Sequence, residues 1–521
     1  MEPWPLDATL GQIAREDRHP EIAAADADDR QALLAAAKAV LAETSADLER
    51  RFLDGMPALE TMRERSKAVD AVIGALLDHA STKVFPAANP TTGERLAVLA
   101  VGGYGRGFLA PFSDIDLLFL THVRRASRVE QIVEHMLYLL WDLGLKVGHA
   151  TRTVGDCVRL AKRDMTIRTS MLEGRRVWGD AELSAELRDV FWKEIASDDA
   201  QFMTAKLEER EGRHASYGDS RYLLEPNVKE GKGGLRDLHA LYWIAKHHYK
   251  VEEVSELVDL GVFTKGERRR FRKAAQFLAT VRCHLHYWAK RAEERLTFDA
   301  QVAIAERMGY ADRPHIRGVE RFMKHYYLTA KTVGDLTRII CAALEADQKK
   351  PNRFAIPRFR RQEQDVEGFD LIGGRLAVKN DEAFRENPVD MLRIFEVAER
   401  HDLDIQPGAL RLIRRDLKKV DAVREDPEAN RLFLEMLTSK RTPARALVRL
   451  NEAAVLGRFV PDFGRVVAQM QYDMYHTYTV DEHTIRAIGQ LRALEAGELK
   501  AECPVATSVL ERTASRRALY V

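Results

Sequence analysis

The sequence predicts an α+β protein: a small mixed-sheet domain flanked by mostly α-helical domains, closing on an incomplete helical segment at the C-terminus. Three observations carry this. Strand-like and helix-like segments alternate only between about residues 90 and 185, and helical periodicity dominates on both sides of that stretch. A composition of 45% hydrophobic and 31% charged residues is that of an ordinary globular protein. At 521 residues the chain has length for three or four domains, each able to bury its own core.

Residues 1–89 read as a helical segment of Ala- and Leu-rich amphipathic stretches, interrupted by the acidic ADADDR. The loop FPAANPTTGE (85–94) marks a change of architecture. Over 90–185 follow RLAVLAVGG, then GGYGRGFLAPFSDIDLLFL (102–120), and a helix-period run RVEQIVEHMLYLLWDLG (128–144). LKVGHATRTV (145–154), a short helix and TIRTSMLEGRRVWG (166–179) complete the domain, with TSMLEGR expected in an apolar strand. Residues 186–350 form a helical domain whose longest stretch is RKAAQFLATVRCHLHYWAKRAEERL. Residues 351–469 are a linker and mixed region: KKPNRFAIPRFRRQ (349–362) reads as the linker and FDLIGGRLAV as a hairpin. A last helical segment, 470–521, begins near Met470.

Composition excludes several functions. Lys plus Arg number 81 against 80 Asp plus Glu, a net charge of +1, so no basic field points to nucleic acid as a partner. ERRRFRK (267–273) is read as the solvated face of a helix. Cys157, Cys283, Cys341 and Cys503 form no CxxC pair, which fits a reducing cytoplasm rather than a disulfide scaffold or zinc site. The first residues lack a basic n-region and an apolar h-region, and no apolar run reaches transmembrane length. The expectation is a cytoplasmic protein without a membrane partner.

The chemistry concentrates in residues 102–120. In a strand, Asp114 and Asp116 point to one face while Ile115 faces the core. Two carboxylates roughly 7 Å apart repel by about 2 kcal/mol at an effective dielectric of about 20, and nothing in their own segment neutralises them. A pair of hard oxygen donors suits Mg²⁺, which takes one or two carboxylates together with nucleotide phosphates. Gly102 and Gly103 let backbone N–H groups approach a phosphate, and Arg106 and Ser113 add donors. Alone, the glycine pair is a tight turn and the Asp pair a solvated strand end; their order and the strand that follows favour a metal and nucleotide site.

A second loop, EPNVKEGKGGLRD, sets Lys229, Lys232 and Arg236 among glycines before a helix N-terminus, where anions are favoured. Triphosphate contact is one reading; a structural loop pinned to the catalytic domain by an Arg236 ion pair is the favoured one. His284 and His286 of CHLH stand two apart on a helix and point nearly opposite ways, so packing accounts for them better than a metal. His401-Asp402 reads as a helix terminus.

A glycine pair followed about ten residues later by Asp-x-Asp on a strand resembles the nucleotidyltransferase superfamily of DNA polymerase beta type. That resemblance implies a third carboxylate on a neighbouring strand, assigned to Glu173 with Asp164 and Asp180 as alternatives. The competing reading, Glu173 as a structural acid paired with Arg175 or Arg176, stands level with it. GGYGRGFLAPFSDIDLLFL, LWDLGLKVGHATRT, LLEPNVKEGKGGLRDLHALYWIAK (223–246) and MYHTYTVDEHTIRAI (474–488) occur in the order seen in the bifunctional uridylyltransferase/uridylyl-removing enzymes of the PII nitrogen-signalling protein. This resemblance implies UTP as donor, a PII tyrosine hydroxyl as acceptor and Mg²⁺ or Mn²⁺ as cofactor. Spacing alone supports only metal-dependent nucleotidyl transfer. A protein adenylyltransferase, a CCA-adding or poly(A) polymerase relative, and a non-catalytic nucleotide sensor are the alternatives.

YTVDEHT resembles the opening of an HD-type phosphohydrolase domain, with His483 as its first metal ligand and His476 seven residues before it. Such a domain needs a later His-Asp pair, and no histidine follows His483. The expectation is a chain holding about the first third of that domain, without its uridylyl-removing activity and without the family's regulatory ACT domains.

Overall fold

The computed structural model of the chain describes residues 29–87, 89, 91–195, 199–218, 220–251, 253–348, 364–470, 477–513 and 515–521. The expected linker at 349–362, His476 and most of ADADDR lie outside them. The chain divides into two compact units, one running to Ser220 and resuming over Asn227–Gly309, the other formed by Arg221–Pro226 and Tyr310–Val521. The division falls inside the helical stretch 186–350.

The first unit opens with helices α1 (Arg30–Leu53) and α2 (Ala58–His79). Asp29 caps α1 by accepting the Ala32 N–H at 2.8 Å. A four-stranded sheet follows, β1 (Leu96–Ala100), β2 (Ile115–Thr121), β3 (Val147–Thr153) and β4 (Arg175–Gly179), in the order β3-β2-β1-β4. β1 pairs antiparallel with β2 and β4, whereas β2 and β3 are parallel, with Asp116 opposite Gly148. The parallel pair requires a crossover, supplied by α4 (Ser127–Asp142). Its Val129, Ile132, Val133, Met136, Leu139 and Leu140 share one core with α2 and with Val98, Ile115, Leu117 and Phe119 of the sheet. Burying each such side chain stabilises the unit by roughly 1.5–3 kcal/mol. The other face is covered more thinly, by Cys157 of α5 (Val154–Ala161) and by Leu183 and Leu187 of α7 (Ala181–Val190), with α6 (Met165–Leu172) preceding β4.

One element differs from the sequence reading. TIRTSML is helical, not a strand: Asp164 caps α6 by accepting the N–H groups of Thr166 (2.7 Å) and Ile167 (3.3 Å). Thr169 and Ser170 return their hydroxyls to the carbonyls of Met165 and Thr166, four residues back. Only RRVWG is strand.

The helical part of this unit contains α8 (Asp199–Ser216), α9 (Leu235–Tyr249), α10 (Lys265–Ala289) and α11 (Phe298–Arg307). His284 of α10 lies 4.5 Å from the Phe52 ring, and His286 bonds the Pro111 carbonyl, so both histidines pack, as their spacing predicts. Arg269, Arg272 and Lys273 of ERRRFRK are exposed.

The second unit contains the long helix α12 (Gly318–Gln348) and a small sheet, β5 (Gln364–Val366), β6 (Phe369–Ile372), β7 (Arg375–Ala377) and β8 (Asp404–Ile405). β6 and β7 form the predicted hairpin. Its core gathers Phe384, Phe395, Leu432 and Leu450 from successive helices. His401 ends the helix Asp390–Arg400, as expected of a terminus. His483 is exposed on α13 (Val480–Glu495).

Candidate active site

The site grows from the ends of β1 and β2. β1 runs into the short helix α3 (Gly102–Gly105), and the Val101 N–H donates to the Asp116 carbonyl at 3.0 Å, fixing the glycine turn beside the Asp pair. Gly102 has φ +61°, and a Cβ there would stand 3.1 Å from Asp116 Oδ2. Across the sheet, a Cβ at Gly148 would collide with Asp116 Oδ1. The carboxylate therefore fits a slot that two glycines leave open, one on each flank of β2. Gly148 lay unnoticed in the sequence, because only the strand register brings it to Asp116.

Ile115 is 2% exposed in the core, Asp114 is exposed and Asp116 is half-buried. Burial and then the Asp114 charge raise the Asp116 carboxyl above the usual aspartate range; Glu173 adds to this and Lys229 opposes it. The glycine turn is anchored from below. The buried Tyr104 hydroxyl donates to Asp70 of α2 at 2.5 Å, and Arg175 of β4 donates to the same carboxylate at 2.7 and 3.1 Å.

A cavity of about 250 Å³ opens over the Asp pair. Gly102, Gly103, Arg106 and Ser113 line it on the sheet side, with Asp114 and Asp116. Lys229 and Arg236 line it from the second loop. Lys232 of the same loop does not border it, nor does Glu173.

Glu173 sits elsewhere than the sequence places it. It is the C-cap of α6 and not a strand residue, with a side chain 2% exposed. Its carboxylate accepts from the Arg106 guanidinium and from the Trp243 indole N–H of α9. The Arg-paired acid is thus the arrangement observed, but the partner is Arg106; Arg175 pairs with Asp70, and Arg176 donates to the Gly179 carbonyl. The alternatives have structural tasks. Asp164 caps α6. Asp180 caps α7 and pairs with Arg95 at 2.6 and 2.9 Å, and the Arg95 bond is the main cause that brings its carboxyl down to about 2. Among the described residues, no three His, Cys, Asp or Glu side chains gather as a metal cluster. Two aspartates at a cavity that Lys229, Arg236 and Arg282 also line still match the donor set Mg²⁺ takes with nucleotides.

The EGKGGLRD loop is held by its own atoms. Asn227 Oδ1 accepts the N–H groups of Lys229 (3.0 Å) and Glu230 (2.7 Å), and a Cβ at Gly234 would stand 2.6 Å from the Val228 carbonyl. Arg236 pairs within the loop, with Glu230 at 3.0 Å. The pin to neighbouring structure is Asp237 instead. Fully buried, it accepts from Gly233 N–H (2.8 Å) and Arg213 (2.6 Å) and contacts His214 Nε2 (3.0 Å). Burial favours its protonation, but the His214 bond and the charges of Arg210, His214 and Arg213 outweigh it and hold the carboxyl below its ordinary range.

Three cavity residues escaped the sequence reading. Arg282 of α10 donates to Glu294 at 2.6 Å and to Ser113 Oγ at 3.3 Å, tying that helix to the Asp loop. Burial pushes the Glu294 carboxyl up, but His286 and Arg282 outweigh it and bring it to about 2. His239 of α9 accepts a 3.5 Å contact from Arg106 at Nδ1; burial and then Arg106, Arg236, Arg282 and Lys229 hold its imidazole well below the ordinary range, and so neutral. Its sequence signal, a histidine one turn past Arg236, is too weak to single out.

Comparisons with known proteins point to one family. The GlnD PII-uridylyltransferase model matches residues 201–341, which include the second loop, and the model for the third domain of uridylyltransferase GlnD matches 369–459. The chain is 54% identical over 496 residues to a bifunctional uridylyltransferase/uridylyl-removing enzyme of Azospirillum brasilense, covering 94% of this chain and 53% of that protein. It is 52% identical over 506 residues to the enzyme of that name from Rhodospirillum rubrum, covering 96% and 54%. Against that of Novosphingobium aromaticivorans it is 50% identical over 496 residues, covering 94% and 54%. The chain spans about half the length of the curated relatives it matches. Two GlnD models, with relatives 50% or more identical over at least 94% of the chain, place the chain in the GlnD uridylyltransferase family.

Proposed function

We propose that the chain is a metal-dependent nucleotidyltransferase that moves UMP from UTP to a tyrosine of the PII signal protein, releasing pyrophosphate. The observation that carries this is the Asp114–Asp116 pair, set in its glycine slot at the edge of a cavity that Arg106, Lys229, Arg236 and Arg282 also line. UTP, PII and the cation come from the family resemblance, supported by the names of the relatives.

Asp114 and Asp116 would hold Mg²⁺ or Mn²⁺. When bound, the cation supplies neutralising charge to the phosphates and acidifies the acceptor hydroxyl. The chain's own groups supply the rest. Backbone N–H groups of the Gly102–Gly103 turn and the cations Lys229 and Arg236 bind the triphosphate. The acceptor oxygen attacks the α-phosphorus in line, the bond to the bridging oxygen breaks, and pyrophosphate departs toward the basic wall. Glu173 orients Arg106 through their buried pair, a positioning role that replaces the third-ligand assignment. His239, being neutral, adds no charge to the wall. Catalysis of this kind is positioning and electrostatics.

Transfer is tested with α-labelled UTP, Mg²⁺ and PII: label should appear on PII and vanish when the acceptor tyrosine of PII is changed to phenylalanine. Label that survives the change would refute the tyrosine assignment.

A further inference from the structure

β3 is an edge strand, and its outer side pairs with no strand among the described residues. The direction of its free hydrogen bonds follows from the ladder. The Ile115 N–H donates to the Lys146 carbonyl at 2.8 Å, and the register sets Ile115 opposite Val147. In a parallel pair this turns the backbone of Gly148, Ala150 and Arg152 toward β2, and that of Val147, His149 and Thr151 outward. Gly148, His149 and Thr151 are exposed. Edge strands are ordinarily blunted by proline, charged side chains or a bulge; VGHATRT has no proline, Arg152 is its one full charge, and its register with β2 is unbroken over seven pairs.

This edge lies beside the candidate catalytic carboxylate. Gly148 stands opposite Asp116, and the place its side chain would fill is occupied by Asp116 Oδ1. Nothing but backbone separates the Asp116 carboxylate from the edge. The other Asp116 oxygen meets Gly102, on the opposite flank of β2. A strand added outside β3 would lie two inter-strand spacings from β2, roughly 9.6 Å, a gap that a tyrosine and an aspartate side chain bridge together. Its side chains would alternate between faces. On the Gly148 face one would reach Asp116; on the other, its neighbours would meet His149, Trp141 and Tyr138. Trp141 lies 6.2 Å from the His149 ring and 5.6 Å from Tyr138, and the two aromatics of α4 are 47% and 51% exposed.

We infer that the β3 edge is the docking strand for the acceptor: an extended, tyrosine-bearing segment of the acceptor protein pairs with β3, its tyrosine passing over Gly148 to Asp116 and its flanking residues resting on Trp141 and Tyr138. Main-chain pairing gives affinity and the alternating side chains give selectivity, as in other strand-addition interfaces. The acceptor would thus approach Asp116 from the flank of β2 opposite Gly102. The inference rests on the reading of the chain as a tyrosine nucleotidyltransferase.

The test is steady-state kinetics of Trp141→Ala and Thr151→Pro with intact PII and UTP. Proline at an outward-facing edge position removes one docking N–H while the bonds from Gly148 and Ala150 to β2 remain. The expected result is a KM for PII raised roughly 10-fold or more in each variant, with the KM for UTP within about twofold of the parent and with Trp141→Phe recovering most of the loss. An unchanged KM for PII in both variants, with the parent labelling its tyrosine, would overturn the docking strand and leave the transfer reading intact. A parent that labels no tyrosine would remove the transfer reading, and the inference with it.

Discussion

Asp116 shows the tension on which the site depends: a half-buried carboxylate beside a second carboxylate, with its proton affinity raised by both. Replacing either member with asparagine removes a repelling charge from the metal-free protein. Asp114→Asn and Asp116→Asn should therefore lower transfer at least ~100-fold while thermal unfolding stays level or rises slightly; activity within a few-fold of the parent in both would refute the role of the pair. His284 gives a residue-scale prediction about pH. Burial lowers its imidazole to about 4, so below the ordinary value near 6.5 the unfolded chain takes up a proton that the native chain refuses. Stability from this residue is complete above that value and is lost as pH falls toward 4. Urea unfolding at pH 7 and pH 5 should show a smaller loss for His284→Gln than for the parent; equal losses would contradict the assignment. The Asp pair and its glycine turn were legible because their partners are neighbours in sequence. Glu173 was legible only as an acid needing an arginine, since Arg106 and Trp243 reach it from 67 and 70 residues away.

At the scale of elements, the strands with continuous apolar runs and the crossover helix follow from local pattern alone. α6 does not, because the β-branched Thr166, Ile167 and Thr169 favour a strand, and its helical state rests on the Asp164 cap and on hydroxyls returned to the backbone. The slot around Asp116 is a property of register, invisible before β3 is laid beside β2. Gly148→Ala should cut transfer at least ~10-fold by displacing the carboxylate, whereas Gly155→Ala, whose Cβ meets only Thr153 Oγ1 at 4.0 Å, should leave it unchanged; an active Gly148→Ala enzyme would show that the slot is not needed. The second loop was read as a choice between phosphate contact and structural pin; the structure gives the pin to Asp237, and Lys229 and Arg236 line the cavity. Removing Asp237 takes the carboxylate from buried His214 and from Arg213, so Asp237→Ala should destabilise the unit by about 3–5 kcal/mol, measured as a fall in the urea midpoint.

Across the whole molecule, the α+β class and the position of the sheet were readable from periodicity, but the division into two units was not. Residues 221–226 leave the first unit for the second and the chain returns at 227, and no composition shift marks that excursion. Among the described residues, no helix is long and apolar enough to cross a membrane. Base selectivity belongs to this scale too: on the proposed reading the glycine turn and Asp pair meet phosphate and cation, and the base is read by the rest of the cavity. Uracil and cytosine differ at one edge, where an acceptor replaces a donor, and a site paired to one leaves polar groups unsatisfied with the other, at roughly 1–3 kcal/mol. The most direct test is to offer parent and Asp116→Asn chains each of the four α-labelled nucleoside triphosphates with Mg²⁺, PII and RNA. The account predicts label on a PII tyrosine from the parent alone, with UTP preferred over CTP by about 10- to 100-fold and purine nucleotides poorer still. Label on RNA, equal use of ATP, or undiminished transfer by Asp116→Asn would contradict it.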